Sequence, residues 1–375
     1  MILILAAFVS MIDRSVMPPL VPVIAGDLNT GLDAIGHSLT VYAVSYAAFQ
    51  LFWSTLAARF GRVRILVVST ALGGVANLAT AFTQDALTYS IARGVAGAMF
   101  AATITTVLIY YGDTLAITKR AVANANLAAA ISVGLACGTL GAGVITQWFG
   151  WRWVYVVIAV FAFALTALLP RLSDTAGDTR ERLLPSLRTL AANRWAVAIL
   201  AFTIVEGALL VGVFNYLAVA LQATGASVLV AGAATSAFGA AVVITTQLMR
   251  LVLGRWPTWV LMLVAGIAIV GAYVAVSVDI SLITVLTAAI ALGLAWATGH
   301  TTMQTWMSDA AADSRAIGMS FFSIALFVGA SAGAAAGNVA AGAHRFEVLF
   351  IVATVVSIGY AAVTTAARAR YVVRE

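Results

Sequence analysis

Long apolar runs, each joined to the next by a short polar connection, follow one another along the whole chain. A helix needs about 20 apolar residues to cross a bilayer. The runs therefore predict twelve membrane-spanning helices, at residues 2–24, 37–57, 65–83, 87–111, 121–146, 152–170, 196–220, 227–249, 257–277, 281–305, 317–339 and 346–367. Backbone groups in lipid must pair within their own segment, and these runs are too long for barrel strands. The pattern thus predicts an all-α integral membrane protein.

Composition and the longest polar stretch set the predicted domain organisation. Of the 375 residues, 63% are hydrophobic and 9% are charged, whereas a soluble domain has roughly 25% charged residues. Residues 171–195 predict a cytoplasmic linker between an N-terminal six-helix bundle (1–170) and a C-terminal six-helix bundle (196–375). The N-terminal segment lacks a basic region and a small-residue cleavage site, so we interpret it as the first span rather than as a signal peptide.

Basic residues fall almost entirely on one side of the predicted membrane. With the N-terminus in the cytoplasm, two of the twenty lie outside, two lie inside spans, and sixteen lie on cytoplasmic connections or the tail. The sixteen are Arg59, Arg62, Arg64, Lys119, Arg120, Arg171, Arg180, Arg182, Arg188, Arg194, Arg250, Arg255, Arg315, Arg368, Arg370 and Arg374. This bias follows the positive-inside rule and predicts a multi-pass protein of a plasma (bacterial inner) membrane with both termini cytoplasmic. The net charge of +6 is then explained by cytoplasmic loops that face the anionic leaflet, and it does not indicate a nucleic-acid-binding protein.

The two halves show weak internal similarity. A shift of 195 residues sets Gly134 on Gly329 and Gly138 on Gly333. A shift of 193 sets Asp13 on Glu206 and Gly61-Arg62 on Gly254-Arg255. Duplicated six-helix halves around a central site are typical of secondary transporters.

Residues 54–64, STLAARFGRVR, resemble the G-x-L-A-D-R-x-G-R-basic motif of the major facilitator superfamily. The resemblance implies that Arg59, Gly61 and Arg62 belong to a gating loop, which in the family latches the halves together in one state by means of the motif's acid. The acid position is Ala58 here, so another residue would have to supply that contact.

Two further elements resemble the same family. Residues 93–97, RGVAG, are similar to its R-x-x-x-G element, which implies a link between Arg93 and proton movement. Gly134, Gly138 and the residues up to Gly143 are similar to the G-x-x-x-G-P-x-x-G-G element of proton-driven exporters, with Thr139 at the proline position. The resemblance implies twelve helices in two pseudo-symmetric bundles, a drug:proton antiporter-like activity, and a gating role for Gly134 and Gly138.

Four charged residues lie deep inside predicted spans, away from the ends, where each costs on the order of 3 kcal/mol if unpaired. Asp13 precedes prolines that weaken the helix, so it is either a proton carrier or a structural partner of an arginine. Glu206 either binds a cation or a second proton, or bonds to a neighbouring helix. Arg14 lies about 100° round the helix from Asp13 and would hold an organic anion or serve as a counter-ion. Arg93 is either coupled to a nearby acid or involved in packing.

Polar and aromatic stripes supply candidate substrate contacts. They are Tyr42, Tyr46 and Gln50 in the second span, Asn215 in the seventh, and Trp296, His300 and Gln304 in the tenth. Residues four apart share a helix face, so each stripe is either a cavity wall or a packed face.

No metal-ligand cluster, nucleophile–base arrangement or nucleotide motif occurs in the sequence, so we expect a transporter without cofactors rather than an enzyme, driven by a proton gradient. The main hypothesis is a proton-coupled exporter of lipophilic or cationic small molecules that works by alternating access. The alternatives are a proton-coupled importer of a small organic anion or metabolite and a non-transporting receptor or scaffold. Expected partners are the substrate, protons and the lipid bilayer, and the fold predicts a monomer.

Overall fold

The computed structural model describes residues 1–174, 183–252 and 256–371, and within these ranges the chain is helical without strands. The helices are α1 Ile2–Ser15, α2 Met17–Asp27, α3 Leu32–Phe60, α4 Arg62–Ala81, α5 Ala86–Thr114, α6 Ile117–Phe149, α7 Trp151–Leu168, α8 Leu183–Ala192, α9 Arg194–Gly207, α10 Asn215–Ala223, α11 Val228–Val252, α12 Thr258–Val278, α13 Leu282–Ala295, α14 Thr301–Ala310, α15 Arg315–Gly342 and α16 Phe346–Arg370. The all-α prediction is confirmed.

Ten helical segments of the described chain are long and apolar enough to cross a membrane, and the bent pair of α1 and α2 would make an eleventh. The pair bends by 44°, where Pro18 and Pro19 at the start of α2 and Pro22 inside it remove backbone donors. The remaining predicted span, the second one at residues 37–57, lies within the 29-residue α3, which is long enough to cross but does not reach the mean hydropathy of the others.

The chain forms two compact units. Unit 1 comprises Met1–Arg180 and Ser227–Ser236, and unit 2 comprises Glu181–Ala226 and Ala237–Glu375. Within unit 1, α3 packs on α5, α4 on α7 and α1 on α6; within unit 2, α12 packs on α16 and α9 on α15. Residues 175–182 of the predicted linker lie outside the described part of the chain. Three residues named above from other parts of the sequence, Gly254, Arg255 and Arg374, also lie outside it.

Helix boundaries define the register of the internal repeat. Helices α3, α4 and α5 begin at residues 32, 62 and 86, and α11, α12 and α13 begin at 228, 258 and 282, which is 196 residues later in each case. This register sets Asp13 against Leu209, so the predicted pairing of Asp13 with Glu206 is wrong by about one helical turn. A local match of two acidic residues suggested the shift of 193, whereas the repeat follows whole helices.

The predicted glycine pairs occupy equivalent close contacts in the two units. A Cβ at Gly134 would lie 2.9 Å from the Phe8 carbonyl oxygen, and one at Gly329 would collide with that of Ile204. Residue 204 is again 196 positions after residue 8. Small residues allow helix backbones to approach closely, which explains why glycine stands at these positions of α6 and α15. A gating role for Gly134 and Gly138 stays a prediction.

We expect Gly329→Ala to lower the free energy of unfolding by about 1–3 kcal/mol, because the added methyl group meets a backbone carbonyl that cannot turn aside. Thermal and SDS unfolding of the detergent-purified protein, followed by tryptophan fluorescence, would measure the change. Gly359→Ala is the matched control: no atom lies within 4 Å of its added Cβ, and alanine stabilises a helix by about 0.5–1 kcal/mol relative to glycine. Equal effects of the two substitutions would contradict the close-contact interpretation.

Candidate functional site

The centre of unit 1 is an ion pair between Arg93 of α5 and Asp13 of α1, both fully buried. The pair is bidentate: Arg93 Nη1 donates to Asp13 Oδ1 at 3.0 Å, and Arg93 Nη2 donates to Asp13 Oδ2 at 3.0 Å. Arg93 Nη2 also donates to the backbone oxygen of Asp13 at 3.1 Å. Two parallel bonds of this kind fix orientation as well as charge.

Three more helices close the network around the pair. The Tyr42 hydroxyl of α3 donates to Asp13 Oδ2 at 2.9 Å, and Arg93 Nη1 donates to Asn77 Oδ1 of α4 at 3.2 Å. The guanidinium lies over the rings of Tyr42, at 5.2 Å, and of Tyr155 of α7, at 5.0 Å. Both oxygens of the Asp13 carboxylate are thus engaged. This geometry favours the structural alternative for Asp13, and a proton-coupling role for Asp13 and Arg93 stays a prediction.

The predicted substrate residues of α3 lie beside this network. The Tyr42 and Tyr46 rings stack with centroids 6.3 Å apart, and both tyrosines are near enough to interact electrostatically with the half-buried Arg14. Gln50 is buried, and its Oε1 has no hydrogen-bond partner among the described residues. Tyr42, however, is committed to Asp13.

Unit 2 has a second buried polar contact, between Glu206 at the end of α9 and His300. Glu206 Oε2 lies 3.1 Å from His300 Nδ1, and both side chains are almost completely buried. Glu206 Oε1 has no hydrogen-bond partner within the described chain. The predicted hydrogen bond of Glu206 to a neighbouring helix is present, and half of its carboxylate remains unsatisfied.

Aromatic rings cover the histidine. The Trp296 ring stacks on the His300 ring with centroids 4.0 Å apart and an interplanar angle of 21°, and Phe322 lies on another side at 5.4 Å. Trp296 and His300 are therefore brought together as their spacing predicts. Gln304 is exposed on α14, outside this buried contact.

Two π-helical segments border the Glu206–His300 contact, at Ala208–Val213 and Trp296–His300. π-helical turns are rare and frequently occur at functional sites. The first begins two residues after Glu206 and ends two residues before Asn215, which is half-buried at the start of α10. Sequence periodicity did not reveal these segments, because one wider turn changes the spacing of side chains only locally.

The predicted gating loop is bound by an acid from far along the chain. Gly61 has a φ of +104°, a conformation that favours glycine. The Asp174 carboxylate accepts hydrogen bonds from the backbone N–H groups of Val63, at 2.9 Å, and Arg64, at 3.3 Å. A carboxylate at the N-terminus of a helix is stabilised by these otherwise unpaired donors. Asp174 thus binds the loop from the predicted linker, which the sequence motif did not indicate.

The other two loop residues differ in burial. Arg62 is buried and pairs with Asp113 of α5, Nε to Oδ2, at 3.2 Å. Arg59 is exposed with its guanidinium 5.2 Å from the Phe60 ring. Within the described part of the chain, no group of three or more His, Cys, Asp or Glu residues could hold a metal ion.

The Major Facilitator Superfamily model matches residues 3–334. Relatives include the MFS antiporter QDR3 of Candida albicans, 28% identical over 160 residues (42% of this chain, 23% of the relative), and a puromycin resistance protein of Streptomyces alboniger, 29% identical over 177 residues (46% of this chain, 35% of the relative). The matched part of this chain thus spans about a quarter to a third of these relatives' length.

Solved structures agree on the fold. A mutant of the nucleoside transporter NupG superposes with a TM-score of 0.80 at 13% identity, over 98% of this chain and 98% of that chain. A D-xylose–proton symporter gives 0.78 at 14% identity, over 99% and 96%. The chain belongs to the major facilitator superfamily and has its membrane transporter fold. Members bind small molecules and are typically monomeric.

We expect Asp13→Asn to lower the free energy of unfolding by about 3–5 kcal/mol, because it leaves the Arg93 charge buried without its counter-ion. Denaturant unfolding in detergent measures the loss, and the double variant Asp13→Asn/Arg93→Met should lose less than the two single losses together. The control is Asp27→Asn, which breaks the exposed pair of Asp27 with Arg152 and should cost under about 1 kcal/mol. A loss no larger than that of the control would show that the buried pair is not structural.

We expect Asp174→Ala to accelerate hydrogen exchange at the Val63 and Arg64 amides by about tenfold, since hydrogen bonds to a charged group contribute about 1.5–3 kcal/mol each. Mass-spectrometric hydrogen exchange of the α3–α4 peptides measures the change. Asp33→Ala, which removes an exposed acid at the start of α3, serves as the control. If these amides exchange at the wild-type rate in Asp174→Ala, Asp174 does not hold the loop.

Proposed function

We propose that this protein is a proton-coupled secondary transporter that exports lipophilic, cationic small molecules by alternating access. The observation that carries the proposal is Glu206, a fully buried carboxyl group with one oxygen facing His300 and the other without a partner among the described residues. An unpaired charge costs on the order of 3 kcal/mol inside a membrane. Glu206 is therefore stabilised by whatever supplies the missing partner, which is either a proton or a cationic ligand.

Competition for one carboxylate couples the two ions. A proton on Glu206 neutralises it, and a cationic substrate binds only after the proton has left. A ligand shifts a conformational equilibrium only by its differential affinity for the two states, so Glu206 must be accessible to opposite sides in the two states of the transport cycle. The resulting exchange moves one cation out for each proton taken in.

The surroundings of Glu206 suit a lipophilic cation. Trp296 and Phe322 supply ring faces beside His300, and Tyr360 is close enough to Glu206 to interact electrostatically. Aromatic faces attract organic cations by cation–π interaction and also bind apolar surface. Antiporter and drug-resistance names among the relatives agree with this class of cargo.

The second candidate function is import of a small organic anion. Arg14 beside Tyr42 and Tyr46 favours it, and one relative, 23% identical over 175 residues, is a probable sulfoacetate transporter of Cupriavidus necator. Arg93, by contrast, is occupied by Asp13 and Asn77, so Arg14 would have to bind the anion.

We expect Glu206→Gln to abolish pH-gradient-driven transport of ethidium in proteoliposomes, because glutamine can neither carry a proton nor compensate a cation. Glu347→Gln, which changes an exposed glutamate in the first turn of α16, should transport at the wild-type rate. Flux is followed by ethidium fluorescence, with protein-free liposomes as the baseline.

The alternatives predict other outcomes of the same assay. Gradient-driven uptake of a small sulfonate or carboxylate, lost on Arg14→Gln and kept in Glu206→Gln, would replace the exporter with the importer. Absence of gradient-driven flux of either probe by wild-type protein would favour a non-transporting receptor or scaffold and contradict the proposal.

A further inference from the structure

An apolar groove runs between α4 and α5 on the outside of unit 1 and has no part in the polar networks described above. Its cavity volume is about 680 Å³. Small residues form its floor, among them the buried Ala76 and Ala92, and larger exposed residues such as Val75 and Ile91 form its walls. The contrast in side-chain size is what makes the surface concave.

The dimensions of the groove match one leaflet of a bilayer. Its α5 wall extends from Thr88 to Met99, which at 1.5 Å per residue is about 16 Å. Half of the roughly 30 Å hydrocarbon core is about 15 Å. The groove is therefore as long as an acyl chain that reaches from the headgroup level to the bilayer centre.

One end of the groove is polar and carries a negative charge. Thr83, Gln84, Asp85 and Thr88 line this end. Asp85 caps α5, with Oδ1 accepting from the Thr88 N–H at 2.9 Å and Oδ2 accepting from the Thr88 hydroxyl at 2.8 Å. The Thr88 backbone N–H lowers the pKa of Asp85, which keeps the carboxylate ionised, and about two of its four lone-pair sites remain for a ligand.

A cationic side chain lies beside the same end. Arg152 Nη2 donates to the Thr83 backbone oxygen at 3.3 Å. Arg152 Nη1, however, already pairs with Asp27, so among the described residues at this end it is the Asp85 carboxylate that is open to an ionic ligand, and it suits the amine of a lipid headgroup. A primary ammonium can donate hydrogen bonds to Asp85, whereas a quaternary choline group cannot.

We propose that this groove binds a phospholipid with an ethanolamine headgroup, its acyl chain between α4 and α5 and its ammonium group on Asp85. The site is distinct from the Glu206–His300 contact and does not depend on the proposed transport activity. Lipid held in this way stabilises the packing of α4 against α5, the two helices that supply Asn77 and Arg93 to the buried network.

Native mass spectrometry of the protein, released from nanodiscs of equal parts ethanolamine, choline and glycerol phospholipids with identical acyl chains, tests the proposal. Wild-type protein should retain one lipid and favour the ethanolamine lipid by about two- to fivefold, as expected of an exposed ion pair. Ala79→Phe, which fills the groove from an exposed lining position, should lose the lipid. Ala164→Phe is the control, since Ala164 is an exposed alanine of α7 outside the groove.

The headgroup assignment is tested separately. Asp85→Asn should retain a lipid without headgroup preference, while Asp33→Asn, an exposed acid outside the groove, should keep the preference. Lipid retention in Ala79→Phe equal to that in Ala164→Phe would overturn the site, and so would displacement of the lipid by ethidium, which would assign the groove to a transported cation. A preference that survives Asp85→Asn would overturn the role of Asp85.

Discussion

The helix packing of unit 1 depends on an ion pair whose two charges are shielded from solvent. Asp13 and Arg93 are both fully buried, and neither charge is tolerable alone in a medium of low dielectric constant. The pair therefore requires α1 and α5 to meet at one point, and α3, α4 and α7 must bring Tyr42, Asn77 and Tyr155 to the same place. Five helices are oriented by one electrostatic requirement, while apolar packing alone would leave their rotation free.

Unit 2 repeats the helices of unit 1 but not its polar centre. The 196-residue register sets Asp13 against Leu209, Asn77 against Tyr273 and Arg93 against Ala289. These three residues of unit 2 are uncharged, and the Tyr273 hydroxyl donates to the Leu209 backbone oxygen at 2.5 Å. The acid of unit 2 lies one turn earlier, where Glu206 faces His300 and keeps an unsatisfied oxygen. One unit thus has a closed ion pair, and the other has a carboxyl group with one oxygen that lacks a partner among the described residues, which is the physical basis for the proposal that ions exchange at Glu206.

Sequence patterns predicted the helices well and the contacts only where local spacing decides them. Apolar runs of about 20 residues have one physical solution in lipid, and Trp296 and His300 stack because they are four residues apart on one helix. The Asp13–Arg93 pair was among the open alternatives, because a charge inside the membrane requires a partner but the sequence does not show which residue it is. Asn77 and Asp174 were missed because their contacts join residues 16 and about 110 positions apart, and no periodicity records such distances. The predicted pairing of Asp13 with Glu206 was wrong because it relied on a match between two acidic residues and not on the helix boundaries.

The central claim is that a proton and a cation exchange at Glu206. Addition of tetraphenylphosphonium to purified protein in weakly buffered solution, with the pH recorded, tests this claim directly. We expect proton release from wild-type protein that saturates with ligand, no release from Glu206→Gln, and wild-type release from Glu347→Gln. Cation binding without proton release, or release that persists in Glu206→Gln, would contradict it.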